Sequence, residues 1–397
     1  MKIDKKHIDV IRAKFAAMQS KDDLLGLLNE AKDMLYEKET SPILLKQLTY
    51  YVNPSHSKSK RRYSKFEVRK KNGGVRIIHA PVQGLKSILR SLNFVLQCMF
   101  EPHKAATGFV LNKSIVDNAK MHIGKNYVYN IDLKDFFHSF DRNRVKMGFL
   151  YEPFDLGGKR EPLAFMLASL CTHPLKIAGE TKIVLPQGSP TSPTLTNMLS
   201  RKMDRRLAGL AKRFGLVYSR YADDITFSAD HNCFKGKEFL DELQRIITDQ
   251  GFEINPTKTR LQKTGYRQEV TGLIVNEKPN VKGKYVKQIR MYLYYWEKYG
   301  HARAQQLFEG DYFVDKGHVK KGSPAIGNVL DGKLEYLKMV KGKDDATYLK
   351  LLGRFEKLIG VTNIAKEGKV DLDTVVDAIL NKGLSYGIEL FEKYKNS

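Results

Sequence analysis

Apolar residues recur along this chain with two different periods, and each period predicts a different kind of element. Steps of three and four residues are typical of amphipathic helices, and they cover residues 1–50, 82–100, 141–172, 194–213 and 284–300. Short apolar runs with alternating positions are typical of β-strands. One such run ends at Asp132, and two others flank a turn at Asp223 and Asp224. The pattern therefore predicts an α+β protein.

Three segments interrupt this pattern. Residues 186–193, PQGSPTSP, contain three prolines and a glycine, which predicts an irregular loop because proline removes a backbone donor and fixes φ. Residues 315–325 are also predicted to form a loop. The last 60 or so residues show only short periodic runs and are predicted to form small helices and turns.

A basic segment precedes the first long helix. Residues 58–76 hold nine Lys or Arg against one Glu, and the apolar residues on both sides of an Asn-Gly-Gly sequence predict a β-hairpin. The charges lie beside a tight turn and not in a low-complexity tail, which favours a hairpin that grips phosphate groups. A solvated basic loop is the alternative.

The amino-acid composition indicates what kind of molecule the protein binds. The 397 residues include 68 Lys and Arg and 44 Asp and Glu, a net charge of +24, which favours an anionic partner and nucleic acid first. The length predicts two to three domains. The three cysteines are far apart and form no zinc-type motif, which fits a reducing cytoplasm. The sequence shows no apolar run of ~18 residues and no signal-peptide core, so no membrane segment is expected.

Three carboxylates stand where strands end. Asp223 and Asp224 are adjacent in the turn of the predicted hairpin, and Asp132 ends another strand. Like charges side by side repel one another, and a basic chain has no evident reason to concentrate them. Hard oxygen ligands of this kind hold Mg²⁺ together with substrate phosphates, and two such ions support in-line phosphoryl displacement. The pattern predicts a site with two Mg²⁺ ions, which Mn²⁺ is also able to fill.

The order of these motifs resembles a reverse transcriptase. The sequence YADD on a hairpin follows NIDLKDFF and LPQGSPTSP, as in the palm of that family, and the likeness extends over residues 63–275. The segment FEVRKKNGGVRIIHAP resembles the fingers hairpin, and GFEINPTKT resembles the lysine motif. The resemblance implies a right-hand polymerase fold with fingers, a palm of antiparallel sheet plus helices, and a helical thumb. Its expected boundaries are an N-terminal helical extension 1–50, fingers 51–125 with part of 142–185, palm 126–275, and thumb with C-terminal helices 276–397.

Two further motifs are similar to those of the bacterial retron group. DNAKMH matches the retron pattern NAxxH, and VTG matches the tripeptide that follows the palm. The resemblance assigns to RNA binding the residues Asn118, Ala119, His122, Val270, Thr271 and Gly272.

The resemblance also implies roles in catalysis. It assigns metal binding to Asp132, Asp223, Asp224 and the carbonyl of Leu133, with the three aspartates as the catalytic residues. It assigns nucleotide binding to Lys70, Lys71, Arg76, Phe137, Gln187, Gly188 and Lys258. Within that set, the Phe137 ring is expected to exclude a ribose 2′-OH, and Lys258 to give a proton to pyrophosphate. Tyr221 is expected to support the primer end, and the basic, aromatic segment 280–300 to lie along the template–primer duplex.

Family membership further implies partners. Retron-like enzymes bind a structured non-coding RNA, prime from an internal 2′-OH, and copy part of that RNA into single-stranded DNA from deoxynucleotides, which leaves an RNA–DNA hybrid. An effector protein, a host RNase H, a role in anti-phage defence and a bacterial cytoplasmic location are implied in the same way. Two alternatives remain open at this point: another bacterial reverse transcriptase, defence-associated or group II intron-like, and an RNA-binding scaffold that does not polymerise.

Overall fold

The computed structural model describes residues 3–52, 62–69, 74–316 and 322–367. The chain divides into two compact units, residues 1–278 and 279–397, and each is described here by itself. The predicted α+β class is confirmed, since the first unit combines helices with a four-stranded antiparallel sheet.

Four helices at the start of the first unit share one apolar core. They are α1 Lys5–Ala17, α2 Lys21–Tyr36, α3 Leu45–Val52 and α4 Gln83–Met99. Ser20 caps α2 and forms a reciprocal capping box with Asp23, which satisfies two of the free backbone donors at the helix start. Phe15, Leu28 and Leu89 are among the buried side chains, so the predicted helical pattern of residues 1–50 is confirmed.

The predicted basic hairpin is present. Strands β1 Tyr63–Arg69 and β2 Val75–Pro81 pair antiparallel along their whole length. Most side chains of β1 are exposed, as are those of the first three residues of β2 next to the turn. Lys70 and Lys71, with the first two residues of the Asn-Gly-Gly turn, lie outside the described residues.

The central sheet has the strand order β6-β7-β3-β8. Its strands are β3 Tyr127–Asp132, β6 Val217–Tyr221, β7 Asp224–Ala229 and β8 Arg260–Lys263. Neighbours pair antiparallel, and Val128, Ile225 and Phe227 on the inner strands are fully buried. Burial of these residues fixes the register, because a slip of one residue would turn the apolar set to the other face.

The remaining elements of this unit surround the sheet. The helices are α5 Ile115–Lys120, α6 Arg142–Leu150, α7 Glu161–Cys171, α8 Ser192–Leu199, α9 Arg201–Arg213 and α10 Lys237–Asp249. Two small hairpins are formed by β4 His173–Ile177 with β5 Glu180–Val184, and by β9 Glu269–Val270 with β10 Leu273–Ile274.

Two sequence predictions need correction here. Residues 186–193 are not irregular throughout, because α8 begins at Ser192 with Pro193 in its first turn, where the missing N–H of proline costs nothing. The single helix expected over 194–213 is two helices that meet at Ser200.

The second unit is helical within its described part. Its helices are α11 Gly283–Lys316, α12 Ile326–Lys341 and α13 Ala346–Glu367. Helix α11 is broken at Gly300, whose φ of 73° is outside the helical region. Buried Ile289, Tyr292 and Trp296 face the core of this unit. The prediction of only small helices near the C-terminus was wrong, since α13 has 22 residues; residues 368–397 lie outside the description.

The predicted loop over 315–325 is confirmed only in part. Helix α11 continues to Lys316 and α12 begins at Ile326, while 317–321 are not described. Among all the described helices, none combines the length and apolarity that crossing a bilayer requires.

Candidate active site

A tight turn brings two carboxylates to the end of the central sheet. Tyr221 pairs with Asp224 across β6 and β7, so Ala222 and Asp223 form the turn between them. Ala222 has a φ of 58°, a left-handed conformation that non-glycine residues adopt rarely and that is often retained at functional sites. The turn therefore places Asp223 and Asp224 side by side where strands β6 and β7 meet.

The neighbouring strand supplies the third carboxylate. Asp132 is the last residue of β3 and is the Cα partner of Asp224 on β7. The backbone N–H of Leu133 donates to the carbonyl of Asp223 at 3.1 Å, which fixes the two strand ends against each other. The structure thus brings together all three predicted catalytic aspartates, with Leu133 beside them.

The electrostatics of this cluster favour a bound cation. Burial, followed by repulsion from Asp132, raises the pKa of Asp223. Burial and repulsion from Asp223 and Asp132 together raise the pKa of Asp224 to about 6. Ionisation of Asp223 and Asp224 is therefore unfavourable in the folded protein, and a bound divalent cation would offset that free-energy cost.

The donor set fits such a cation. Carboxylate oxygens are the hard ligands that Mg²⁺ and Mn²⁺ prefer, and Mg²⁺ keeps several waters and substrate phosphates in its shell. Among the described residues, no group of three or more His, Cys, Asp or Glu side chains is arranged to hold a metal ion by itself. Asp132, Asp223 and Asp224 would therefore hold such an ion only together with further ligands, such as water and substrate phosphates.

The side chain of Lys258 contacts this cluster of carboxylates. Its Nζ donates to both oxygens of Asp132, at 2.7 and 2.9 Å, and Asn255 donates to the same carboxylate at 3.2 Å. The Lys258 side chain is 54% exposed. The sequence assigned Lys258 to the nucleotide, whereas the structure pairs it with Asp132.

Two aromatic rings stand beside the carboxylates. Phe137, the predicted barrier to a ribose 2′-OH, lies in the short turn after β3 and is half-buried. The ring of Phe109 lies 6.3 Å from that of Phe137 and 6.2 Å from that of Tyr221. Phe109 is 42% exposed and has a φ of 61°. Sequence reasoning missed Phe109. The preceding residue, Gly108, packs directly against the YADD turn, since a Cβ there would lie 2.6 Å from the backbone nitrogen of Ala222.

The glutamine loop is fixed to the basic hairpin. The backbone N–H of His79 on β2 donates to the carbonyl of Gln187 at 2.8 Å. Gly188 has a φ of 118°, and a Cβ there would lie 2.6 Å from the carbonyl oxygen of His79. Only glycine therefore allows this approach. Arg76 on the same strand is near enough to the cleft to lower the pKa of Asp223, against the larger effect of burial.

The residues assigned to RNA binding separate into two groups. Asn118, Ala119 and His122 are buried, so their side chains do not reach an RNA on the surface. His122 contacts the hydroxyls of Ser219 and Ser228, at 2.7 Å each, and so connects β6 to β7 behind the catalytic turn.

The second group reaches the cleft beside Asp132 and Asp224. Val270 is buried, whereas Thr271 and Gly272 form the strained turn between β9 and β10, with φ values of 48° and 83°. A cleft of about 510 Å³ is lined by Asp132, Tyr221, Asp224, Lys258, Thr271 and Gly272. The VTG turn and the carboxylates, far apart in sequence, therefore line one cavity.

The buried His122 predicts a pH effect on stability. Burial lowers the pKa of His122 to about 3, against about 6.5 in the unfolded chain. The unfolded state therefore binds the proton more tightly, and stability falls as pH drops below about 6.5, by up to ~1.4 kcal/mol per pH unit from this residue. The free energy of unfolding, measured with urea at pH 7, 6 and 5, should fall less steeply with decreasing pH in His122→Asn than in the parent. The difference in slope should be up to ~1.4 kcal/mol per pH unit. An unchanged slope would show that His122 is not a buried neutral group.

A fully buried ion pair supports the turn from behind. Arg220, which precedes the YADD sequence, donates from Nε and Nη2 to the two oxygens of Asp204 on α9, at 2.7 Å each. Its Nη1 donates to the carbonyl of Ala222 at 3.1 Å, and both side chains are 0% exposed. Sequence reasoning missed this pair. The only available signal was an aspartate on the apolar face of a predicted helix.

Comparison with known proteins agrees with this geometry. A profile of the reverse transcriptase (RNA-dependent DNA polymerase) family matches residues 68–276. The retron Mx65 reverse transcriptase of Myxococcus xanthus is 36% identical over 291 residues, 70% of this chain and 62% of that protein. The retron Mx162 enzyme of the same organism is 39% identical over 240 residues, 54% of this chain and 47% of that protein. The retron Ec86 reverse transcriptase of Escherichia coli is 32% identical over 274 residues, 67% of this chain and 78% of that protein.

The matched region spans less than two thirds of both Myxococcus proteins. Among solved structures, a telomerase from Candida albicans has a TM-score of 0.38 at 11% identity, covering 86% of this chain and 71% of that one. A foamy viral protease-reverse transcriptase in complex with double-stranded DNA has a TM-score of 0.34 at 15% identity, covering 76% and 44%. Structural similarities with TM-scores this low do not identify a family. The family profile and the sequence similarity to the retron enzymes do. The chain belongs to the reverse transcriptase family, and within it to the bacterial retron type.

Proposed function

We propose that this protein is an RNA-directed DNA polymerase that copies part of a structured non-coding RNA into single-stranded DNA. Membership of the family implies dependence on a divalent metal in general. The observation that carries the proposal is the meeting of Asp132, Asp223 and Asp224 at the adjoining ends of strands β3, β6 and β7. A scaffold without activity would gain nothing from three carboxylates whose charges oppose one another.

In the proposed reaction a primer hydroxyl attacks the α-phosphate of a deoxynucleotide. The new P–O bond forms as the bond to the β-phosphate breaks, and pyrophosphate leaves. Two Mg²⁺ ions, held by Asp132, Asp223, Asp224 and the Leu133 carbonyl, would supply positive charge to the attacking and leaving oxygens. Arg76 binds the triphosphate from the hairpin side, where its guanidinium suits phosphate oxygens. Lys70 and Lys71 are proposed to join it, although both lie outside the described residues.

Lys258 is proposed to act in the same step. Its ammonium is paired with Asp132 in the structure, and neutralisation of Asp132 by metal would free it. The flexible side chain would then turn to the phosphates and give a proton to the departing pyrophosphate. Gln187 and Gly188 position the nucleotide because their loop is tied to β2.

Phe137 is proposed to select deoxynucleotides. Its ring contacts that of Phe109 beside Tyr221, which leaves it little freedom to move away from a 2′-OH. We expect Phe137→Ala to raise the relative incorporation of ribonucleotides by about 10–100-fold, with a small effect on deoxynucleotides. The measurement is the ratio of kcat/KM for each pair of nucleotides on a primed template.

Phe165→Ala is the matched control for this variant, because it removes an exposed ring on α7. It should leave the ratio unchanged. A Phe137→Ala enzyme that still rejects ribonucleotides as the parent does would contradict the selection role.

Helix α11 is proposed to hold the template–primer duplex as part of a thumb. Its exposed residues include Lys284, Lys287, Arg290, Tyr294 and Lys298, which recur at three- and four-residue steps and share one face. The Lys298 ammonium lies over the Tyr294 ring at 5.4 Å. This basic stripe suits the sequence-independent contacts that a nucleic-acid backbone offers.

The RNA-specific steps are proposed from the retron relatives and from the cleft. Thr271 and Gly272 line the cavity that holds Asp132 and Asp224, so an RNA nucleotide bound there would present its 2′-OH to the carboxylates as the primer. Asn118, Ala119, His122 and Val270 would act indirectly, by supporting that surface from the core. A branched RNA–DNA product follows from such priming.

The cellular setting is proposed by analogy alone. A host RNase H would remove copied template from the RNA–DNA hybrid, and an effector protein would bind the product complex in anti-phage defence. The protein would act in the bacterial cytoplasm, without a membrane partner.

Expression of the gene with its upstream flank tests the proposal. Small nucleic acids would be extracted, treated with RNase or a 2′,5′-debranching enzyme, and separated on a denaturing gel. A discrete single-stranded DNA whose mobility changes on debranching is the expected result. Extension of a primed RNA template by the purified protein, without a discrete cellular product, would indicate another kind of reverse transcriptase. Absence of both would overturn the polymerase proposal.

A further inference from the structure

Helix α9 has an outer face that the proposed catalytic cycle does not use. At 100° per residue, its buried side holds Met203, Asp204, Leu207, Leu210 and Ala211. The opposite side holds Arg201, Lys202, Arg205, Arg206, Gly209, Lys212 and Arg213. We call this set the α9 basic face. It carries six cations, and the helix places no acidic residue among them, since Asp204 is buried against Arg220.

The cations divide by their partners. Arg206 and Arg213 on one edge pair with Asp249 and Glu238 of α10. Among the described residues, Arg201, Arg205 and Lys212 on the other edge form no ion pair. The sequence therefore concentrates positive charge on this edge without compensating it, which raises the free energy of the isolated protein through repulsion.

The charge extends beyond the helix. His103 is close enough to Arg201 and Arg205 for both to lower its pKa, after the larger effect of burial. Lys104, the next residue, is exposed. The unpaired edge of the α9 basic face thus continues onto the loop that precedes α5, and forms a basic surface on the first unit.

A glycine stands at the centre of this surface. Gly209 lies in the interior of α9, and a Cβ there would meet no atom within 4 Å. Nothing in the fold requires glycine at this position, and glycine in a helix interior is destabilising relative to alanine. A centre without a side chain, surrounded by long cations, lets the backbone of a bound polyanion approach the helix closely.

We propose that the α9 basic face binds a double-stranded part of the non-coding RNA, outside the catalytic cleft. The inference rests on the proposed function and adds to it a docking surface. The twelve residues from Arg201 to Lys212 span about 16 Å of helix, a length over which a nucleic-acid strand presents several phosphates. A lipid surface is disfavoured, because the apolar side of α9 is buried in the core and offers nothing to insert into a bilayer.

A triple substitution tests the surface. In Arg201→Gln/Arg205→Gln/Lys212→Gln, we expect affinity for a 20-base-pair RNA hairpin to fall at least 10-fold at 150 mM salt. The slope of log K against log salt should fall by about two to three, since each phosphate contact contributes about 0.9 or less. The matched control is Lys5→Gln/Lys6→Gln/Lys21→Gln, which removes three exposed charges from α1 and α2 and should change affinity less than twofold. Equal losses in the two variants would overturn the proposal.

Gly209→Gln gives an independent test. Glutamine is the better helix former, so the melting temperature should rise by about 2 °C, while the side chain obstructs the centre of the surface and RNA affinity falls severalfold. Greater stability with unchanged RNA affinity would overturn the role of the glycine as a point of close approach.

Two further measurements separate the explanations. Extension of a short primed template should be unchanged in the triple variant; if the parent enzyme itself fails to extend it, the proposed function fails and not merely this surface. Binding to vesicles of phosphatidylserine and phosphatidylcholine should be weak and equal in all variants. Vesicle binding that is strong in the parent and lost in the triple variant, with RNA affinity unchanged, would assign the surface to lipid and overturn the proposal.

Discussion

Replacement of both Asp223 and Asp224 with alanine is expected to abolish DNA synthesis, by at least about 10³-fold, and to leave the protein folded. We expect the loss because, in the proposed mechanism, these carboxylates lie beside Asp132 and would hold the cations that balance charge on the reacting phosphate. The fold survives because neither charge stabilises it. The raised pKa values of both groups show that ionisation is opposed in the folded state.

The measurement is extension of a primed RNA template, with circular dichroism melting and RNA binding on the same preparations. Asp230→Ala is the matched control. It removes an exposed carboxylate just beyond the other end of β7, where it pairs with Lys125, and should leave synthesis near the parent level. If the double variant still polymerises, the carboxylates of the turn are not the metal site.

The second large effect is expected at Asp204. Asp204→Asn should lower the free energy of unfolding by about 3–5 kcal/mol, because it leaves the Arg220 guanidinium buried without a counter-charge. The same change should reduce synthesis, since Arg220 also donates to the carbonyl of Ala222 in the strained turn. Urea unfolding and primer extension measure the two effects separately.

Two comparisons sharpen this expectation. Arg245→Gln breaks an exposed ion pair with Glu242 and should cost less than about 1 kcal/mol. The apolar double variant Arg220→Met/Asp204→Leu should recover much of the stability, because removal of both buried charges avoids the unpaired one. It should not recover activity, since the bond to Ala222 stays broken. A loss below about 1 kcal/mol in Asp204→Asn would contradict the burial of the pair.

The apolar periodicity and the turn residues predicted many of the helices and strands. The paired strands of the basic hairpin and the strands around YADD follow from periodicity and turn residues alone. The break at Ser200 was missed because the apolar pattern runs through it. The long C-terminal helix was missed because its apolar positions are scattered around the helix, and what orders it is packing within its own unit.

The sequence by itself determined the class of protein, the strongly basic character and the three carboxylates. These depend on residue identity and on neighbours a few positions apart. Tertiary structure alone decided that Lys258 pairs with Asp132, that Phe109 lies between Phe137 and Tyr221, and that the VTG turn lines the same cleft as Asp132 and Asp224. It also decided that His122 is buried and that Arg220 meets Asp204. Contacts of this kind join residues up to 126 positions apart, and they depend on how the strands and helices pack, which no local pattern encodes.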